Sequence, residues 1–270
     1  MNVLEEESKV ADRLVNEAID EVKVMINDVP DMNNYQNLFK YQTIHDIENP
    51  SVELVHAGSK GIKKFTVYME RGSGFQLVVN AISTNFGLPV HHDYGWFFEI
   101  TKNRSYAGSD DTLFICVVRE PLDWVNAFFA RPYHVFYQLL ENGSKFISLP
   151  WRSTTGDNNS LDEQMNDRNM NTGDPYKNIF ELRNIKNDFM KNGLPTLVKH
   201  SIVVRYEDFT NDYENTLNML RDKFGLVPTD IYPTVVNGSE EPATAVISRA
   251  EIMANPCFDV NAEKALGYVY

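Results

Sequence analysis

An apolar five-residue segment, Phe65 to Met69, runs through Glu70-Arg-Gly-Ser-Gly74 directly into an amphipathic stretch in which Leu77, Val78, Ala81 and Ile82 recur at helical spacing. That order of strand, glycine turn and helix leaves few folds open, because a β-branched and aromatic strand without alternation is buried on both faces, as in a parallel sheet. Gly72 and Gly74 let the backbone turn sharply and aim several N–H groups at one point. The point lies at a helix N-terminus, whose dipole favours an anion. Arg71 adds a cation there and Ser73 a hydroxyl donor. Gly-Ser-Gly alone occurs in many plain turns; the strand before it and the helix after it carry the phosphate-loop reading.

The rest of the chain repeats the alternation. Leu4 to Ile26 carries Leu14, Ala18, Val22 and Ile26 at four-residue intervals, which predicts one long amphipathic helix stopped by Pro30. Residues 31–60 read as connecting structure with one short helix around Tyr35 to Lys40, so residues 1–60 form an N-terminal helical extension packed on a main domain, 61–270. Gly87 to His92 predicts a second strand ending at the carboxyl edge of the sheet, where ligands of open α/β sheets collect. Thr112 to Val118 is the strongest buried-strand signal, uncharged until Arg119-Glu-Pro121, where proline stops the strand and opens a helix over Trp124 to Phe129. Residues 142–175 read as a surface insertion or lid. Pro175 to Met190 returns to helical periodicity, Ser201 to Phe209 is a further strand and turn, and Tyr213 to Phe224 is a helix closed by Gly225. The expected fold class is α/β: a three-layer α/β/α arrangement about a central parallel sheet.

The formal charge of −13 on 270 residues argues against nucleic acid and disfavours heparin-like polyanions as main partners, since both need clustered Lys and Arg. A phosphate loop still sets its own local field. The acidic remainder suits a neutral or cationic small molecule. No apolar run reaches the roughly 20 residues that span a bilayer, so no membrane partner is expected. The acidic start lacks a secretory n-region and h-region, and Cys116 and Cys257 read as free thiols, so the expected compartment is the cytoplasm.

Three pieces stand in order: Glu70-Arg-Gly-Ser-Gly-Phe-Gln76 after one strand, Val118-Arg-Glu-Pro-Leu-Asp-Trp124 after the next, and Val204-Arg-Tyr-Glu-Asp-Phe209 before a helix ending Lys223-Phe-Gly-Leu226. With Arg131-Pro-Tyr-His134 and Asn178-Ile-Phe-Glu-Leu-Arg-Asn184 between them, residues 62 to 270 resemble the sulfotransferases that use 3'-phosphoadenylyl sulfate (PAPS), whose fold is similar to the P-loop nucleotide kinases. The resemblance implies that Arg71, Gly72, Ser73, Gly74, Phe75 and Gln76 hold the 5'-phosphosulfate and that Arg119 grips the 3'-phosphate in a charge-assisted, bidentate contact. It implies a structural role for the Tyr206-Glu-Asp208 turn. The chain departs from the family in having Phe75 where a Thr is usual, Ala127 where a phosphate-binding Ser is frequent, and Gly95-Trp-Phe-Phe98 where related chains have Gly-Trp-Lys-His.

Sulfuryl transfer needs an in-line acceptor, a general base and cations around the leaving phosphate, as phosphoryl transfer does. His92 and His91, at a predicted strand end, are the candidate bases near neutral pH, with Asp93 and Glu99 as further candidates. Arg71 is the candidate stabiliser of charge on the bridging oxygen. The chemistry needs no metal, and adenosine 3',5'-bisphosphate (PAP) is the implied product. The implied activity is therefore transfer from PAPS to a hydroxyl or nitrogen of a small acceptor. Two alternatives stay open: a binding protein that keeps the fold without the activity, for which Phe75 and Ala127 speak, and a small-molecule kinase, disfavoured because no Gly-Lys-Ser/Thr follows the loop.

Overall fold

Three parallel strands lie in the order of their appearance, β1 (Lys64–Met69), β2 (Thr112–Val118) and β3 (His200–Arg205). They belong to a computed structural model that describes residues 61–154, 167–236 and 245–270. The helices expected over Leu4 to Ile26 and Tyr35 to Lys40 fall outside those residues. β2 is the middle strand and all seven of its residues are buried, which is why it reads as an unbroken apolar run. The register sets Met69 beside Val117 and Val118 beside Arg205, so all three strands stop at one edge.

The predicted second strand is smaller than expected. Gly87 to His92 contributes one parallel bridge, Val90 to Phe65, rather than a ladder. Gly87 at φ 62° ends the preceding helix, and Pro89 in the middle of the run has no N–H to give a neighbour.

Helices cover both faces of the sheet. On one, α1 (Phe75–Phe86) buries Leu77, Val78, Ala81 and Ile82 against Phe65, Val67, Leu113 and Ile115, joined by Leu217, Leu220 and Phe224 of α6 (Tyr213–Phe224). Gly225 closes α6 in the left-handed conformation, as its position after Phe224 predicts. On the other face Tyr68, Phe114 and Cys116 meet Phe189 and Met190, which follow α4 (Ile179–Asp188) in a single π turn, Phe189–Gly193, and Leu194 of the 3₁₀ turn after it. A further cluster joins α2 (Pro121–Ala130) to α3 (Gly143–Ser148) and α4 through Trp124, Phe128, Phe146, Trp151 and Phe180.

Side-chain caps fix several of the helix starts. Asn178 accepts from the N–H groups of Phe180 and Glu181 to open α4, and Asn142 accepts from Lys145 to open α3 inside the region read as a lid. β3 passes without a loop into α5 (Tyr206–Asn211), where Asp208 accepts from the Arg205 amide. Two short helices, α7 (Arg249–Ala254) and α8 (Val260–Ala265), complete the chain. Among the described residues no helix is long and apolar enough to cross a membrane.

Candidate functional site

The turn after β1 places both glycines in the left-handed region, Gly72 at φ 77° and Gly74 at φ 87°. Packing demands them as firmly as conformation does. A Cβ on Gly72 would stand 3.1 Å from Phe128, and one on Gly74 would strike the Tyr206 ring. The turn is thus pressed between α2 and the start of α5.

α1 opens directly from this turn with no capping side chain and no acid in its first turn. Its first internal hydrogen bond runs from the Val78 amide to the Gly74 carbonyl at 3.3 Å. The N–H groups of Phe75, Gln76 and Leu77 therefore have no partner within the helix, and its positive end is unopposed by any carboxylate of its own.

Arg119 joins the turn from the neighbouring strand. Because Met69 pairs with Val117, the residue after β2 lies alongside the start of the loop, and Arg119 Nη1 donates to the Gly72 carbonyl at 2.8 Å. Its guanidinium lies 4.4 Å from the centre of the Tyr206 ring, and the residue is 7% exposed. Loop and guanidinium are in direct contact.

Arg71 points elsewhere. Its guanidinium turns into the interior, donating from Nη1 to Glu70 at 2.8 Å and to Asp167 at 3.2 Å. Lys186 of α4 closes the set, reaching Glu70 at 2.8 Å, Asp167 at 2.7 Å and the Phe98 carbonyl at 2.9 Å, and the Trp151 indole donates to Asp167 at 2.7 Å. Arg71 Nε and Nη2 have no hydrogen-bond partner; the guanidinium carbon lies 3.9 Å from the Phe98 ring centre and 5.6 Å from that of Trp151. Aromatic faces stand in for the missing acceptors. Burial alone would raise the Asp167 carboxyl, but Lys186 and Arg71 outweigh it and hold the group below the ordinary carboxylate range. The expectation that Arg71 meets a bridging oxygen does not match this placement, because its charge is already spent on two buried carboxylates.

Ser73 is buried in the turn, and Gln76 runs along α1 to bond Asn80 at 2.7 Å. Phe75 stacks on Phe97 with centroids 4.5 Å apart. Asn126, beside Ala127, faces away from the loop and accepts from the amides of Val246 and Ile247, both at 2.8 Å. In the Tyr206 turn, Glu207 accepts from the Glu120 amide at 2.8 Å, tying the two strand ends together.

Of the two histidines only His92 turns toward the glycine turn; His91 stays at the amino end of β1, away from the carboxyl edge where the sequence places both. Phe65 bonds Pro89 and His91 through its backbone at 3.0 and 2.8 Å, and Met69 bonds the Phe97 carbonyl at 2.9 Å, so residues 91 to 97 bow out between two attachments to β1. His92 sits within that bow, its ring 6.4 Å from Phe75 and stacked on Trp96 at 5.4 Å. Its Nε2 is buried without a hydrogen-bond partner. Burial first, and His91 second, push the imidazole below its ordinary range, against a weaker opposite pull from Asp93. His91 lies on the outer side, 3.5 Å from Asp93, which Lys64 holds at 2.9 Å. Glu99 accepts from the Trp96 amide at 3.4 Å and pairs with Arg104 at 3.7 Å. A cleft of about 440 Å³ opens beside it, lined by Glu99, Thr101, Arg104, Arg168 and Asn169.

The structure therefore brings together Gly72, Ser73, Gly74, Phe75, Arg119 and His92, sets Gln76 and His91 at the margin, and takes Arg71 out. Among the described residues no group of three or more His, Cys, Asp and Glu is placed to hold a metal ion. No family model, no curated protein and no solved structure matches this chain.

Proposed function

We propose that this chain is a sulfotransferase that moves the sulfuryl group of PAPS to a hydroxyl or nitrogen of a small neutral or cationic acceptor. The observation that carries the reading is the start of α1: a glycine turn leading into a helix end with neither cap nor acid, and a guanidinium from the next strand within hydrogen-bond reach of the turn. Such an end receives phosphate or sulfate oxygens.

In this reading the amides from Ser73 to Gln76 take the 5'-phosphosulfate. Arg119 takes the 3'-phosphate from beside the turn, through guanidinium N–H groups other than the one on the Gly72 carbonyl. Arg71 works from below, as part of the ionic base that fixes the turn. His92, neutral near pH 7, accepts the acceptor's proton as the acceptor atom bonds to sulfur and the bond from sulfur to the 5'-phosphate oxygen breaks, releasing adenosine 3',5'-bisphosphate. His91 is the second candidate for that proton.

A binding protein of the same fold is the competing reading, and one observation favours it: Arg71 and Arg119 both hold protein groups. Thermal shift separates the two from a kinase. Stabilisation by adenosine 3',5'-bisphosphate but not by ATP with magnesium supports the nucleotide assignment, the reverse supports a kinase, and no response to either removes both. Turnover of labelled donor over alcohols, amines and guanidines then distinguishes enzyme from binder. Loss of turnover in His92→Gln with bisphosphate binding intact assigns the base, and unchanged turnover moves the role to His91.

A further inference from the structure

The indole of Trp96 is 44% exposed, yet it is stacked on an imidazole whose Nε2 is buried and has no partner. Single half-exposed aromatics are ordinary on a protein surface; what sets Trp96 apart is the buried polar atom of the ring it covers. Its backbone is fixed. Gly95 at φ 89° allows the turn, the Gly95 amide bonds the His92 carbonyl at 2.9 Å, and the Trp96 amide meets the Glu99 carboxylate at 3.4 Å. The two rings lie 28° from parallel, so the indole covers a face of the imidazole rather than touching its edge.

We propose that Trp96 is a positioning residue for His92: its stacked ring holds the imidazole beside Phe75 and keeps water from Nε2. The inference rests on the base role given to His92 above. With Nε2 covered no water competes for it, and an acceptor's hydroxyl or amine reaches the nitrogen only when the stacked rings part to admit it. The groups that could set the charge of His92 by other means are few. His91 and Asp93 flank it, Lys64 and His91 hold Asp93, Glu99 and Arg104 stand behind the Trp96 amide, and α1 brings Phe75, which does not titrate.

The test is the titration of His92 in the full chain without any nucleotide, followed by NMR of ¹³C-labelled histidine, with His92→Gln identifying the resonance among the six histidines. Trp96→Ala removes the cover from an exposed position, and its midpoint should rise by about half a pH unit or more as water reaches the ring. Trp96→Phe keeps a flat ring and should titrate as the wild type does. A midpoint that stays or falls in Trp96→Ala overturns the proposal, as does a Trp96→Phe midpoint that moves as far as the alanine one. Neither measurement uses the donor, so failure here is separable from failure of the bisphosphate to bind.

Discussion

Arg183 donates from Nη2 to the backbone carbonyl of Arg119 at 2.8 Å, while its guanidinium also grips both oxygens of Glu263, at 2.6 and 2.9 Å. The helix α4 thereby holds the strand end from which the Arg119 side chain departs. Arg183, Glu263 and the Trp124 ring beneath them are buried, so the pair exists in a setting where neither charge can fall back on water.

Breaking that pair from one side should therefore be costly. Glu263→Gln or Arg183→Met should lose about 3–5 kcal/mol of unfolding free energy in urea, because each leaves a buried group uncompensated. The double variant Arg183→Met with Glu263→Met should recover part of the loss.

Arg119 and Arg71 should separate by readout. Arg119→Met should weaken binding of adenosine 3',5'-bisphosphate about 10- to 100-fold by calorimetry, the worth of a charge-assisted contact, and cost about 1–3 kcal/mol of stability for the Gly72 carbonyl left without its donor. Arg71→Met should do the opposite first: it strands Glu70 and Asp167 and should lower stability by about 3–5 kcal/mol. Equal effects of the two variants on affinity and stability would refute the division of labour.

Acid stability should report Asp167. Its folded carboxyl titrates below the unfolded value of about 3.9, so the stability it contributes is present above about pH 4 and is lost as pH falls through the folded value. Lys186 behaves oppositely: burial would lower it, but Asp167 and Glu70 raise it, so its contribution is present below about pH 10 and lost as pH rises through the folded value. Asp167→Asn should be less stable at neutral pH and show a flatter decline between about pH 5 and 2, followed by the urea midpoint.

Gly74→Ala should cost about 1–3 kcal/mol, from the left-handed backbone and from the Tyr206 ring it would strike. Adding Tyr206→Ala removes the clash but not the backbone strain. The double variant should therefore lose less than the sum of the two single changes.

The fold elements that sequence reasoning finds are those whose cause is local. β2 announces itself by seven apolar residues, and α6 by its stripe and Gly225. The start of α1 is legible for the same reason: the glycines that a tight turn needs stand next to the residues they serve. Tyr206 to Phe209 reads as the turn after a strand and folds as the start of α5, where Asp208 caps back to the Arg205 amide. The inward turn of Arg71 has no local sign, because its partners Asp167 and Lys186 are remote in the chain. Arg183 and Lys186, three residues apart and both on the buried face of α4, were the available hint. Charges on an otherwise apolar helix face imply buried counter-charges, though not which ones.

The bow from His91 to Phe97 is sewn to β1 at both feet, at Phe65 and at Met69. A segment so tethered has little chain entropy left to surrender when a guest arrives, and its ends cannot drift apart as it shifts. The same strand delivers the glycine turn at its far end. The bow and the turn are thus carried by one strand, and a displacement of β1 moves both attachments at once.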